Sequence, residues 1–153
     1  MVRPDIPLDA HSYRVVVADE YRATFYDREK KFSPLREVAD FRNEAAREKI
    51  GDLLADRGGR AYDSHGQGRH TMTNEKADPK AHSAVVFAKD LAERLGADRQ
   101  KGRYDKLIVV AAPRFLGVLR PALSTAGLEA DRAIDKAVTG KSADFIQKLV
   151  DSD

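Results

Sequence analysis

The stretch Tyr104–Ala112, Y-D-K-L-I-V-V-A-A, decides the architecture. It is a short, continuous apolar run, the pattern of a central strand covered on both faces. Pro113 follows at once and opens a helical phase, with Phe115, Leu116, Leu119 and Leu123 on one side. Pro121 falls inside that phase and predicts a kink or an early end. Before the run, Asp78-Pro79 reads as a helix start, an N-cap residue followed by proline at the first helical position. Ala84, Phe87, Ala88, Leu91, Ala92 and Leu95 then share one helical face, and a stop is expected between Gly96 and Gly102. After the run, residues 128–138 give a weaker strand signal. Ser142 to Val150 form a short closing helix, with Phe145, Ile146 and Leu149 expected inward.

Toward the N-terminus, Tyr13, Val15 and Val17 alternate with Arg14, Val16 and Ala18, which suits a strand with at least one well-buried face. Asp19-Glu20 reads as a turn, and Ala23 to Tyr26 as the returning strand of an antiparallel hairpin, although the turn lacks Asn-Gly or Asp-Gly. Leu35 to Phe41 is a third candidate strand. Residues 43–55 hold helix formers interrupted by Gly51. The order is β-β-β, loop, α-β-α-β-α: an α/β mixed sheet of three meandering antiparallel strands and then alternation, with helices packed on it. Residues 1–11 read as an N-terminal extension and 12–153 as a single domain.

The chain of 153 residues is 42% hydrophobic and 34% charged, the composition of a folded, well-solvated domain. It has no cysteine, which excludes a disulfide framework, a thiolate nucleophile and a Cys-based zinc site. The first residues lack the apolar core of a secretory signal, and no apolar run is long enough to cross a bilayer. The expectation is a cytoplasmic protein with no membrane partner. The net charge of +2, from 27 basic against 25 acidic residues, neither demands nor excludes a nucleic-acid partner, so the placement of charge matters more.

One segment concentrates unusual residues: Arg57–Met72, R-G-G-R-A-Y-D-S-H-G-Q-G-R-H-T-M. It has the composition of a long loop, and loops of this length are commonly functional or disordered. Its glycines let the main chain approach a ligand and point N–H groups at it. Residues 57–76 carry four Lys/Arg against two acids, and His65 and His70 add charge below neutral pH. Such a loop suits a phosphate or polyanion, and it suits a merely solvated loop equally well. A second candidate is Ala112–Arg120, A-P-R-F-L-G-V-L-R, where a buried strand hands over to a helix. Helix N-terminal amides and Arg114 there are placed to hold phosphate. The blander alternative is that Pro113 starts the helix, Gly117 lets it pack closely and Arg114 is a surface ion-pair partner.

Other chemistries fail on spacing. His65, His70 and His82 with Asp63 and Asp78 match no metal-ligand motif, so no metal is expected. Asp63, Ser64 and His65 are adjacent and cannot form a catalytic triad. Thr139-Gly-Lys-Ser142 resembles the tail of a P-loop, but Asp135 stands where the first glycine is needed. Ser142 is better read as a helix N-cap. No cofactor is implied.

Taken together, Arg14–Tyr26, Gly59–Met72, Asp78–His82, Leu107–Arg120 and the Ile134-Asp135-Lys136 segment resemble, in this order, the bacterial host-attachment protein family. That family is described as required for attachment to host cells. It is in turn similar to the central domain of archaeal and eukaryotic class I release factors and of Pelota, which implies a ribonuclease-H-like fold. In release factors a Gly-Gly-Gln tip promotes attack of water on the peptidyl-tRNA ester. Here Gly66-Gln67 match its last two positions, His65 stands in place of the first glycine and Gly68 follows. The family pattern usually has a second acid after Asp-Lys, where this chain has Ala137, which weakens a catalytic role for Asp135.

The resemblance implies a ribosome- or tRNA-associated accessory protein. Arg57, Arg60, Arg69 and Arg114, with the Gly66 and Gly68 amides, would then meet RNA phosphate, and any effect on attachment would be indirect. One alternative is an ester hydrolase acting on peptidyl- or aminoacyl-tRNA, with Gln67 positioning water and His65 or His70 as base. The other is a protein-interaction module, with its oligomeric state open.

Overall fold

The computed structural model describes residues 11–46 and 79–152. Five strands form one sheet: β1 (Tyr13–Ala18), β2 (Arg22–Arg28), β3 (Arg36–Arg42), β4 (Lys106–Ala111) and β5 (Arg132–Ile134). Their order across the sheet is β3-β2-β1-β4-β5. β2 runs antiparallel to both β1 and β3, whereas β4 runs parallel to β1 and to β5. The hairpin and meander expected from residues 13–41 therefore form one half of a mixed sheet, and the helix–strand alternation forms the other. This is the ribonuclease-H-like α/β arrangement.

Three long helices are described: α1 (Pro79–Gln100), α2 (Pro113–Thr125) and α3 (Ala143–Ser152). The sheet's two faces bury different partners, because successive strand side chains alternate. Val16, Ala18, Phe25, Leu107 and Val109 pack against Phe87, Leu91 and Leu95 of α1 and Phe115, Leu119 and Leu123 of α2. Val15, Val17, Ile108, Val110 and Ile134 pack against Ile146 and Val150 of α3. β1 and β4 are thus covered on both faces, which accounts for their unbroken apolar runs. Edge strand β3 is mostly exposed, with a register shift opposite Phe25 and Tyr26.

Two helices end as glycine predicts. Gly102 (φ 76°) follows α1, and Arg103 N–H donates to the Asp98 carbonyl. Gly127 (φ 79°) follows α2, and Leu128 N–H donates to the Leu123 carbonyl. Both are left-handed caps that satisfy otherwise orphaned carbonyls.

Two expectations need correction, and of the kink or early end expected at Pro121 the early end does not occur. α2 runs through Pro121 to Thr125 without an early end. Proline at 121 frees the carbonyl of Gly117, but both residues are exposed, so that carbonyl faces solvent while Phe115, Leu119 and Leu123 hold the helix to the core. The strand expected over 128–138 contracts to Arg132–Ile134. Phe145, expected inward on α3, is 45% exposed; Ile146 and Val150 carry the buried face, with Leu149 partly buried.

Candidate functional site at the carboxyl edge of the sheet

The parallel strands β1, β3, β4 and β5 end on the same edge, where ligands bind in open α/β sheets. The residues that follow them are Asp19-Glu20 after β1, Asn43 after β3, Ala112-Pro113-Arg114 after β4 and Asp135-Lys136 after β5. Local chemistry sets each connection. Asp19 Oδ1 accepts from the backbone N–H of Tyr21 at 2.7 Å and of Arg22 at 2.9 Å. This Asx turn supplies the reversal that the hairpin lacks an Asn-Gly to make. The other oxygen, Oδ2, accepts from Thr139 Oγ1 at 2.7 Å, joining the β1 turn to the segment after β5.

Asn43 ties a second junction. Its Nδ2 donates to the Glu20 carbonyl at 2.8 Å and to the Ser83 carbonyl at 3.3 Å. Its Oδ1 accepts from Ala46 N–H at 3.4 Å, at the start of a helical turn over residues 44–46. One buried amide therefore holds the exit of β3, the β1 turn and the first turns of α1 together. Residue 46 and residue 79 consequently stand at the same edge.

α2 begins at this edge with Pro113 in its first turn and Ala112 as N-cap, so no side chain caps its amides. Arg114 is exposed and carries no ion pair among the described residues. With Glu20, Ala81, Ala84, Val85, Phe115 and Val118 it lines a cavity of about 130 Å³. The edge thus combines an uncapped helix N-terminus, a cation and a small apolar recess, an arrangement that can accept an anionic group.

The expected site is divided by what is described. Arg114 stands on this edge as anticipated. Arg57, Arg60, His65, Gly66, Gln67, Gly68, Arg69 and His70 lie outside the described residues. Pro113 does start α2. Gly117 is exposed with no atom within 4 Å of where a side chain would begin, so it makes no close packing, and among the described residues Arg114 has no ion pair. Ser142 caps α3, its Oγ accepting from Phe145 N–H at 3.1 Å. His82 is exposed on α1, and among the described residues no three His, Asp or Glu side chains come together as a metal site. Among those residues no helix is long and apolar enough to cross a membrane. The Asn43 clamp and the Asp19–Thr139 bond were not anticipated from the sequence. In the sequence Thr139 stands out only within Thr139-Gly-Lys-Ser142, a pattern that fails as a phosphate loop.

The class is therefore an α/β protein with a ribonuclease-H-like mixed sheet covered by helices on both faces. Residues 14–150 match the family model described as protein required for attachment to host cells, and the chain belongs to that family. A comparison with curated proteins finds no match. Among solved structures the chain is similar to the Thermoplasma acidophilum Pelota protein, with 11% identity and a TM-score of 0.46. The likeness covers 97% of this chain and 36% of that one, so the chain spans about a third of Pelota's length.

Proposed function

We propose that this host-attachment family protein is an RNA- or ribosome-associated accessory factor that meets phosphate at the carboxyl edge of its sheet. The observation that carries the reading is the placement of Arg114. It is an exposed guanidinium at the uncapped start of α2, on the edge where residues 46 and 79 bracket the Gly/Arg/His-rich sequence. Arginine with free helix N-terminal amides is the chemistry that recognises backbone phosphate. On this reading Arg57, Arg60 and Arg69 add further phosphate contacts and Gln67 approaches the end of a tRNA. The effect on attachment is then indirect, through RNA.

The test is sedimentation of a lysate through density gradients at several salt concentrations, followed by RNA binding with purified protein. Co-migration with a ribosomal subunit or tRNA that is lost as salt rises is expected. Arg114→Ala should weaken binding across sequences and lower the salt slope by about 1. Slow sedimentation at every salt concentration, or an Arg114→Ala protein with wild-type affinity and slope, would sink the assignment.

A further inference from the structure

At the opposite ends of the strands, on the face covered by α3, a cavity of about 330 Å³ opens between the start of β1, the start of β4 and the last turn of α3. Four cations line it, Arg28, Lys31, Lys106 and Arg132, against two acids, Asp131 and Asp151, an excess of two positive charges. Both acids are engaged by the protein. Asp151 Oδ1 accepts from Arg28 Nη1 at 2.7 Å. Asp131 Oδ2 accepts from Leu107 N–H at 2.7 Å, and its Oδ1 stands 3.9 Å from Lys106 Nζ.

Two further observations point to a ligand. Arg28 is almost wholly buried, with its guanidinium 5.3 Å from the Tyr13 ring centroid, and its Nε has no hydrogen-bond partner. A buried donor without an acceptor is uncommon and needs an explanation. Phe32, also on the cavity wall, is 61% exposed and has a φ of 70°. It is the one described residue other than glycine with positive φ. A bulky side chain seldom adopts that conformation, and outliers of this kind concentrate at functional sites. Here it sets an aromatic ring beside Lys31, whose Nζ lies 5.4 Å from the ring centroid.

We infer that this cavity binds a nucleoside monophosphate, with the phosphate against the cationic wall and the base stacked on Phe32. Charge-assisted hydrogen bonds suit the phosphate, and an aromatic face accepts any base. The volume lies at the lower end of the range of roughly 300–1,000 Å³ typical of small-ligand pockets. The nucleotide arrives either free or as an exposed residue of a single strand, since both present the same chemistry. The site does not rest on the reading of the carboxyl edge, which lies at the other ends of the strands.

Calorimetric titration of the full chain with AMP, inorganic phosphate and a single-stranded tetra-adenylate tests it. Lys31 and Phe32 are exposed, so Lys31→Glu and Phe32→Ala leave the fold intact, as circular dichroism should verify. AMP should bind about tenfold more tightly than phosphate, a gain that stacking readily supplies. Phe32→Ala should remove that advantage, Phe32→Tyr should retain it, and Lys31→Glu should weaken both ligands. The loss caused by Phe32→Ala should persist in an Arg114→Ala background, which separates this site from the carboxyl edge. Tetra-adenylate binding without AMP binding, with the same losses in the variants, identifies a strand as the source. Neither AMP nor tetra-adenylate binding more tightly than phosphate, or variants that bind like the wild type, overturns the inference.

Discussion

Thr139 Oγ1 donates to Asp19 Oδ2 at 2.7 Å across 120 residues of chain, so the turn that closes the hairpin is fastened to the segment after β5. The Asp19 carboxylate therefore accepts three bonds at once, two from the backbone of its own turn and one from Thr139. At about 1 kcal/mol for each net hydrogen bond, Thr139→Val should cost about 1 kcal/mol and Asp19→Ala about 2–3 kcal/mol. Urea denaturation of the two variants and their double mutant measures this. The double mutant should lose little more than Asp19→Ala alone, because the bond to Thr139 is already gone. Full additivity would mean that the bond contributes nothing.

Arg14 should be the most damaging single position. It is 2% exposed, and its Nε and Nη2 form a fork with Asp27, its direct neighbour across β1 and β2, while Nη1 reaches Asp98 of α1 at 2.8 Å. Burial pulls the guanidinium pKa down, but the hydrogen bonds and charges of Asp27 and Asp98 outweigh it and leave the group more firmly protonated than usual. The ion also stacks over Phe25 and Tyr104, with centroids at 5.3 and 4.9 Å. Arg14→Met takes from Asp27 and Asp98, each mostly buried, the cation they share, leaving Asp98 only the exposed Arg103 at 4.0 Å, and should cost about 3–5 kcal/mol. Replacing Asp98 by Leu in the same protein should recover part of that loss. A urea midpoint for Arg14→Met close to the wild type would show that solvent screens the cluster.

Alkaline pH probes the same cluster. Burial first, offset by Arg14 and Arg99, pushes the Tyr104 hydroxyl up to about 12, and that hydroxyl donates to the Leu95 carbonyl at 2.9 Å. An unfolded tyrosine titrates near 10, so between about pH 10 and 12 the folded chain holds a proton that the unfolded chain has released. Stability from this group is complete below pH 10 and is lost as pH rises toward 12, by roughly 2–3 kcal/mol at most. Tyr26 is raised too, by burial and then by Glu37, and acts in the same direction. Tyr104→Phe should lower stability at neutral pH by about 1 kcal/mol through the lost bond and flatten, without abolishing, the alkaline decline. An equally steep decline in Tyr104→Phe would assign it elsewhere.

What the sequence discloses here follows from the range of the physics involved. Tyr104–Ala112, the Val15–Ala18 run and the Pro113 start were legible because local pattern and burial agree at these positions. The hairpin turn was placed correctly, yet its chemistry was hidden, since Asp19 acts through backbone geometry that no dipeptide rule names. Arg14 was read only as one half of a strand alternation. Nothing in β1 announces that Asp98, 84 residues on, will neutralise it. The carboxyl edge was legible in one residue, Arg114. Its Asn43 clamp joins β1, β3 and α1 through one side chain, an arrangement visible only in three dimensions. Phe145 shows the reverse failure: it has helical spacing suited to burial, but α3 is rotated so that Ile146 and Val150 face the sheet.

Pro121 does not end α2, because it lies on an exposed face of the helix, and the same geometry makes a prediction. Gly117 lies in the interior of α2, four residues before Pro121, and a Cβ added there meets nothing within 4 Å. Its carbonyl lacks the N–H that residue 121 would otherwise provide. Gly117→Ala removes unfolded-state freedom at no steric cost and should stabilise by about 0.5–1 kcal/mol, raising Tm by roughly 2–4 °C. Pro121→Ala restores the missing bond on an exposed face and should stabilise by up to about 3 kcal/mol. Thermal unfolding of both single variants and the pair, with RNA binding measured alongside, tests whether the break is a structural liability or a feature of the binding edge. Stabilisation with unchanged binding makes Gly117 and Pro121 incidental. Stabilisation with weakened binding means that the loosened mid-helix bond lets the Arg114 end of α2 adjust to its ligand.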